Sequence, residues 1–231
     1  MAMLDHALSY NSEGICVVPC KPHDKAVALN SWEEYQHRQS TTEEITEWWK
    51  RSPACNIGLV HGINGYAVLD LDHDLGALKE LRARLPELFA GRIEQSGSGE
   101  GYHVPLFLEE YPALGWDNSK NRPKGNKTWK TNLGNVNIRA RWCQTVAPPS
   151  IHPSGGIYRN LMEGAVARIA NLSALIDLLN TLSPNDAPLS VKIAPETGGS
   201  SNLSELKAYF PLLETFKALG LVGDTEKTQG G

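Results

Sequence analysis

The chain has 231 residues, of which 41% are hydrophobic and 21% charged, with a formal net charge of −4. This length suits one large domain or two small lobes sharing a core, and the composition excludes a disordered polyelectrolyte. No uncharged run approaches the ~18 apolar residues of a membrane span, and the first ten residues carry Asp5 and His6 rather than a basic leader, so a cytoplasmic protein is expected.

In chain order, Met3 to Glu13 reads as a helix closed by Gly14, and Ile15 to Val18 as a short strand. Lys21 to Ser40 is polar and irregular. Thr41 and Glu44 form a capping box for a helix that places Ile45, Trp48 and Trp49 on one face and stops at Pro53. Asn56 to Val60 and Tyr66 to Asp72 read as strands joined through Ile63-Asn64-Gly65. Leu75, Leu78, Leu81, Leu85 and Leu88 recur at helical spacing. Arg92 to Gln95 and Tyr102 to Leu108 read as strands joined by a glycine-rich stretch. Pro112 to Asn135 reads as a long polar loop, Val136 to Val146 as a strand or hairpin, and Pro148 to Gly156 as a turn region. Ser173 is expected to cap a helix running to Leu182. Residues 1–190 are expected to form one domain, 191–202 a linker, and 203–231 a C-terminal helical segment that begins a further region. The Gly230-Gly231 end hints at a fragment of a longer protein.

Cys16, Cys20, Cys55 and Cys143 lack zinc-ligand spacing and read as buried thiols. Charge is unevenly spread. Residues 1–118 hold 18 acids and nine Lys/Arg, whereas 119–141 hold Lys120, Arg122, Lys124, Lys127, Lys130, Arg139 and Arg141 with no acid. With Trp129 and Trp142 within or beside it, this stretch suits phosphates and stackable bases. A solvated, Lys-rich surface loop would have the same composition.

Three segments carry chemistry. In Val68-Leu69-Asp70-Leu71-Asp72-His73-Asp74, carboxylates at i and i+2 share a strand face, about 7 Å apart at Cα. Such a pair can hold Mg²⁺ or Mn²⁺ and leave positions for phosphate oxygens. An Asp-rich turn after a strand reads alike. In Ser96 to His103, Ser98, Gly99 and Gly101 allow close backbone approach to an anion, and His103 opens a strand that holds it rigidly. In Val136 to Arg141, Asn137 offers a neutral oxygen and Arg139 shares its face. The stiff turn Pro148-Pro149-Ser150 then leads to His152 and Tyr158, candidates for sugar or base contact.

In this order and spacing the segments resemble the primase–polymerase (Prim-Pol) catalytic domain of the archaeo-eukaryotic primase superfamily, a family common on plasmids, phages and integrated elements. The likeness runs from about Leu4 to Asn160. It includes Ala7-Leu8-Ser9-Tyr10, Gly14, Val17-Val18-Pro19, Trp48-Trp49, Asn56 to Leu59 and Gly62. The resemblance implies an α/β (α+β) fold: a small N-terminal α/β lobe packed on an RRM-like antiparallel sheet, with the active site in the cleft between them. It implies DNA primase and polymerase activity in the replication of a mobile element. Asp70 and Asp72 would bind metal, with Asn137 as a weak third ligand where the family usually has a carboxylate. His103 would contact the incoming nucleotide's phosphates, joined by Ser98, Gly99, Gly101, Arg139, Ser150 and His152. Lys120, Arg122, Lys124, Lys127, Lys130 and Arg141 are expected on a single-stranded DNA template. The partners implied are template, primer, (d)NTP and a helicase or accessory domain, with no membrane. Two rivals use the same residues: an impaired module that binds nucleotide or single-stranded DNA, with Asn137 marking lost activity, and a metal-dependent nuclease.

Overall fold

The computed structural model describes residues 2–72 and 75–183. The expected linker 191–202 and helical segment 203–231 lie outside the described residues, as does Asp74.

The described chain is a mixed α/β structure built on antiparallel sheets. Its elements are α1 (Met3–Ser12), β1 (Cys16–Cys20), α2 (Thr42–Arg51), β2 (Asn56–Val60), β3 (Tyr66–Asp72), α3 (Leu75–Arg84), β4 (Ile93–Gln95), β5 (Tyr102–Leu108), β6 (Trp116–Asp117), β7 (Arg122–Pro123), β8 (Asn126–Thr131), β9 (Gly134–Arg139), β10 (Gln144–Val146), β11 (Arg159–Met162), β12 (Ala167–Ile169) and α4 (Ser173–Leu182). A three-stranded sheet runs β1-β2-β10. A larger, seven-stranded sheet runs β11-β4-β5-β3-β9-β8, with β12 beside β5, and it does not close into a barrel.

Local chemistry sets the helices. Glu44 N–H donates to Thr41 Oγ1 at 3.2 Å, and Thr41 N–H donates back to Glu44 Oε2 at 2.8 Å, so the capping box forms as the residues predict. Period-2 patterning sets the sheet. Leu69 and Leu71 point to a core that also takes Leu78, Leu81, Trp129, Ile138, Leu175 and Leu179. Tyr66, Val68 and Phe107 point to the opposite face, against Ala7, Tyr10, Ile45, Trp49, Ile57 and Leu59 of the small sheet and its helices. The small sheet and its helices therefore cover the Tyr66–Val68 end of that face. Asp70 and Asp72 emerge on the same face, beyond Val68, where this apolar cover ends.

Three expectations are corrected. The region Pro112 to Asn135 is not one loop: it holds the β6–β7 ribbon and the edge strand β8. Its Lys and Asn content hid the strand, because only Trp129 of β8 is buried. Val136 to Val146 is not a hairpin, since β9 joins the large sheet and β10 the small one. Ser173 is the first helical residue rather than the cap; Asn171 Oδ1 accepts its N–H at 3.0 Å.

Candidate active site

Strand register builds the site. Glu94 pairs with His103, His103 with Asp70, Asp70 with Asn137, and Asn137 with Thr128. These five side chains form one row across β4, β5, β3, β9 and β8, with strands about 4.8 Å apart. Asp72 and Arg139 share that face, one step along β3 and β9 in opposite directions. Asp70, Glu94, His103 and Asn137 are buried, Asp72 is half-buried and Thr128 is exposed.

On the β3–β9–β8 side the row is tied by hydrogen bonds. Arg139 Nε donates to Asp70 Oδ2 at 2.7 Å. Asn137 Nδ2 donates to Asp72 Oδ2 at 3.0 Å, and Asn137 Oδ1 accepts from Thr128 Oγ1. This fixes the amide orientation, because an ionised carboxylate only accepts and a hydroxyl can donate. The one atom of Asn137 able to ligate a cation is thus capped by Thr128.

His103 lies between two carboxylates. Its Nε2 is 3.7 Å from Asp70 Oδ1 and its Nδ1 3.7 Å from Glu94 Oε2. Burial would lower the imidazole pKa, but Glu94 and Asp70 outweigh it and hold His103 above its ordinary value. Glu94 is only 2% exposed, and its Oε1 has no hydrogen-bond partner. The sequence reading missed Glu94, since three residues of β4 are too few to show an alternation. The signal available was a lone acid beside the buried Ile93 in the strand that feeds the glycine-rich turn.

The two candidate nucleotide loops pack together. A Cβ on Gly97 would stand 2.5 Å from His152 Cβ and 2.6 Å from the Gly156 carbonyl oxygen. Glycine at 97 therefore serves contact between the loops, whereas Gly99, at φ +85, faces open space. Ser98 Oγ lies 2.6 Å from Ser96 Oγ at the turn, and Gly101 stands at the foot of β5, close to the Leu71 carbonyl. The Tyr158 ring lies between the imidazoles of His103 and His152, at centroid distances of 6.0 and 5.9 Å. His152 Nδ1 accepts the Ser154 N–H at 3.1 Å, leaving Nε2 as the donor, and burial and Lys25 lower its pKa. Ser150 is fully buried and takes the Ile57 N–H on its hydroxyl at 2.9 Å. It anchors this loop to β2 and has no free face for a nucleotide.

On the β8 side of the row lies a groove of about 520 Å³ lined by Lys120, Arg122, Lys124, Lys127, Arg141, Trp142, Asn126 and Thr128. Thr128 thus borders both the groove and the row. Arg122 stacks on Trp142 at 4.1 Å, and Arg141 on Tyr111 at 3.5 Å. Lys130 lies outside this lining, in the row of Asp72 through Asn135. Trp129, expected among the stacking aromatics, is 1% exposed and donates Nε1–H to Asn180 on α4 at 2.8 Å. It is core, which leaves Trp142 as the groove aromatic.

Among the described residues no three His, Cys, Asp or Glu gather closely enough to hold a metal ion by themselves. Asp70 and Asp72 remain a hard-oxygen pair that fits Mg²⁺ or Mn²⁺ in the mode where waters and substrate phosphates complete the shell. Cys16, Cys20 and Cys55 are buried, as expected of free thiols, whereas Cys143, expected buried, is half-buried. His61, also overlooked in the sequence, is enclosed between Cys143 Sγ at 3.2 Å and Thr145 Oγ1 at 3.1 Å; burial and Arg139 push its pKa well down. No described helix is long and apolar enough to cross a membrane.

No curated protein matches the chain. The family model for the bifunctional DNA primase/polymerase N-terminal domain (Prim-Pol) matches residues 7–174, which include every strand of both sheets. The chain belongs to the Prim-Pol family of bifunctional DNA primase/polymerase N-terminal domains.

Proposed function

We propose that the domain catalyses template-directed transfer of a nucleotide from a (d)NTP to the 3′-hydroxyl of a primer or of an initiating nucleotide. The observation that carries the reading is the register row Glu94–His103–Asp70–Asn137–Thr128, which sits between a Ser/Gly loop and a basic groove. In this reading the hydroxyl oxygen bonds to the α-phosphorus, its proton passes to solvent water, and the bond to the leaving pyrophosphate breaks. Asp70 and Asp72 would hold Mg²⁺ or Mn²⁺, which when bound offsets phosphate charge and favours an ionised hydroxyl. His103 and Arg139 donate to phosphate oxygens. The backbone around Ser98, Gly99 and Gly101, with His152 Nε2–H, lines the nucleotide side. Lys120, Arg122, Lys124, Lys127 and Arg141 track the phosphates of a single-stranded template.

Trp142 supports the template role. It holds φ +55, a conformation costly for a bulky side chain and of the kind that clusters at functional sites. Membership of the Prim-Pol family, which is common on plasmids, phages and integrated elements, favours replication of a mobile element as the setting.

The test is extension of a labelled primer on a single-stranded template. It is run with and without primer, with dNTPs and NTPs separately, in Mg²⁺ and in Mn²⁺. Extension that Asp70→Ala abolishes is the expected result. Template binding with no extension in either metal would favour the second reading, an impaired binding module, to which the capped amide of Asn137 points. Shortening of the DNA without any dNTP would mark a nuclease.

A further inference from the structure

We infer that Arg139 latches the cation site shut in the free protein, and that a nucleotide opens it by drawing the guanidinium onto its phosphates. Divalent-cation binding then depends on nucleotide. The inference rests on the assignment of Asp70 and Asp72 proposed above.

Asp70 is hydrogen-bonded at one oxygen: Oδ2 accepts Arg139 Nε–H at 2.7 Å, while Oδ1 lies 3.7 Å from His103 Nε2, an ionic contact beyond hydrogen-bond length. A cation that takes Oδ2 displaces a charge-assisted hydrogen bond, and one that takes Oδ1 still meets the guanidinium's charge on the same carboxylate. The usual counterweight is lacking, because the cross-strand neighbour of Asp70 is the neutral Asn137. Its amide is turned nitrogen-first to Asp72.

The two partners of the ion pair are unequally held. The Arg139 side chain is 35% exposed and that of Asp70 8%. Arg139 is therefore the partner able to leave. Guanidinium carries five N–H donors, and among the described residues only Nε is used. The idle Nη donors suit a polyphosphate, which offers several anionic oxygens in fork geometry. The same polyphosphate adds oxygen ligands for the cation. One event thus removes the competing charge and completes the coordination shell. A cation without nucleotide meets a site whose buried acid is already paired.

The test is Mn²⁺ binding followed by electron paramagnetic resonance, without nucleotide, in the wild type, Arg139→Gln and Arg141→Gln. Both variants lose one positive charge. Arg141 lies over the Tyr111 ring and, among the described residues, forms no ion pair with a carboxylate. Arg139→Gln is expected to bind Mn²⁺ about tenfold more tightly than the wild type, with Arg141→Gln close to the wild type. Equal affinities in the two variants would overturn the latch. A second readout needs no variant beyond assignment: the ¹⁵N resonance of Arg139 Nε. It should move on adding dNTP in EDTA and stay in place with Mg²⁺ alone. A resonance unmoved by saturating Mg²⁺ and dNTP would also overturn the latch. Asp70→Asn and Asp72→Asn separate the two levels. If neither weakens Mn²⁺ binding in the presence of dNTP, the site assignment falls and the latch with it. If both weaken it while Arg139→Gln matches Arg141→Gln, only the latch falls.

Discussion

Glu94 sets its carboxylate 3.7 Å from Nδ1 of His103, directly across the β4–β5 register, and both residues are buried. The imidazole is the nearest ionic partner of this carboxylate, Arg92 also acts on it through space, and Glu94 Oε1 is without a hydrogen bond. Burial alone would lower the imidazole pKa, but Glu94 and Asp70 outweigh it, so His103 is held above its ordinary value.

The pH dependence follows with opposite signs for two histidines. His103 is raised above its ordinary 6.5, so the stability it contributes is complete below that value and is lost as pH rises through the folded pKa. His61 is lowered well below 6.5, so its contribution is complete above that value and is lost as pH falls toward the folded pKa. Glu94→Gln should lower the His103 midpoint and flatten the alkaline limb, leaving the limb below 6.5 in place. Titration of the histidine Cε1–H signals by NMR, with thermal melts across the same range, checks both. An unchanged His103 midpoint in Glu94→Gln would refute the pairing.

Asn137→Asp replaces a donated hydrogen bond by a carboxylate facing Asp72 Oδ2, which the amide nitrogen meets at 3.0 Å. In EDTA the variant should lose roughly 2 kcal/mol, from the lost bond and like-charge repulsion. With Mn²⁺ and dNTP it should regain stability and extend primers faster than the wild type. Differential scanning calorimetry in EDTA and in Mn²⁺ measures the first effect. A variant as stable as the wild type in EDTA would show that the amide contact carries no weight.

Trp129 and Trp142 should separate stability from binding. Trp129→Ala opens a cavity between β8 and α4 and breaks the bond to Asn180, at a cost of about 3–5 kcal/mol. Trp142→Gly relieves the positive φ, so its melting temperature should stay within a few degrees of the wild type. Its affinity for single-stranded DNA should fall about tenfold, from the lost stacking surface. Fluorescence anisotropy with a labelled oligonucleotide reads the affinity, and equal binding by Trp142→Gly would remove Trp142 from the interface.

The groove cations predict a salt dependence. Binding of single-stranded DNA should weaken linearly in a log–log plot against salt, with a slope of about −0.7 per neutralised phosphate. Lys124→Gln and Lys127→Gln, in the groove lining, should each reduce the slope by about one contact. Lys130→Gln, outside that lining, should leave it nearly unchanged. Equal slopes for all three would dissociate the groove from DNA binding.

Local chemistry made much of the chain legible. The capping box at Thr41, the strands Asn56 to Val60, Tyr66 to Asp72 and Tyr102 to Leu108, and the turn at Gly65 follow from neighbours within a few residues. The apolar alternation of β3 also dictates that Asp70 and Asp72 share a face. What no local pattern contains is register, because pairing is decided by residues far apart in the chain. Glu94, Asn137 and Thr128 join Asp70 and His103 only because five strands align, and only that alignment turns the Asn137 amide toward Asp72 and sets Arg139 on Asp70. Tertiary packing also divided the basic stretch, since α4 covers one face of β8 and takes Trp129 into the core, while Trp142, at a turn, is left to the groove.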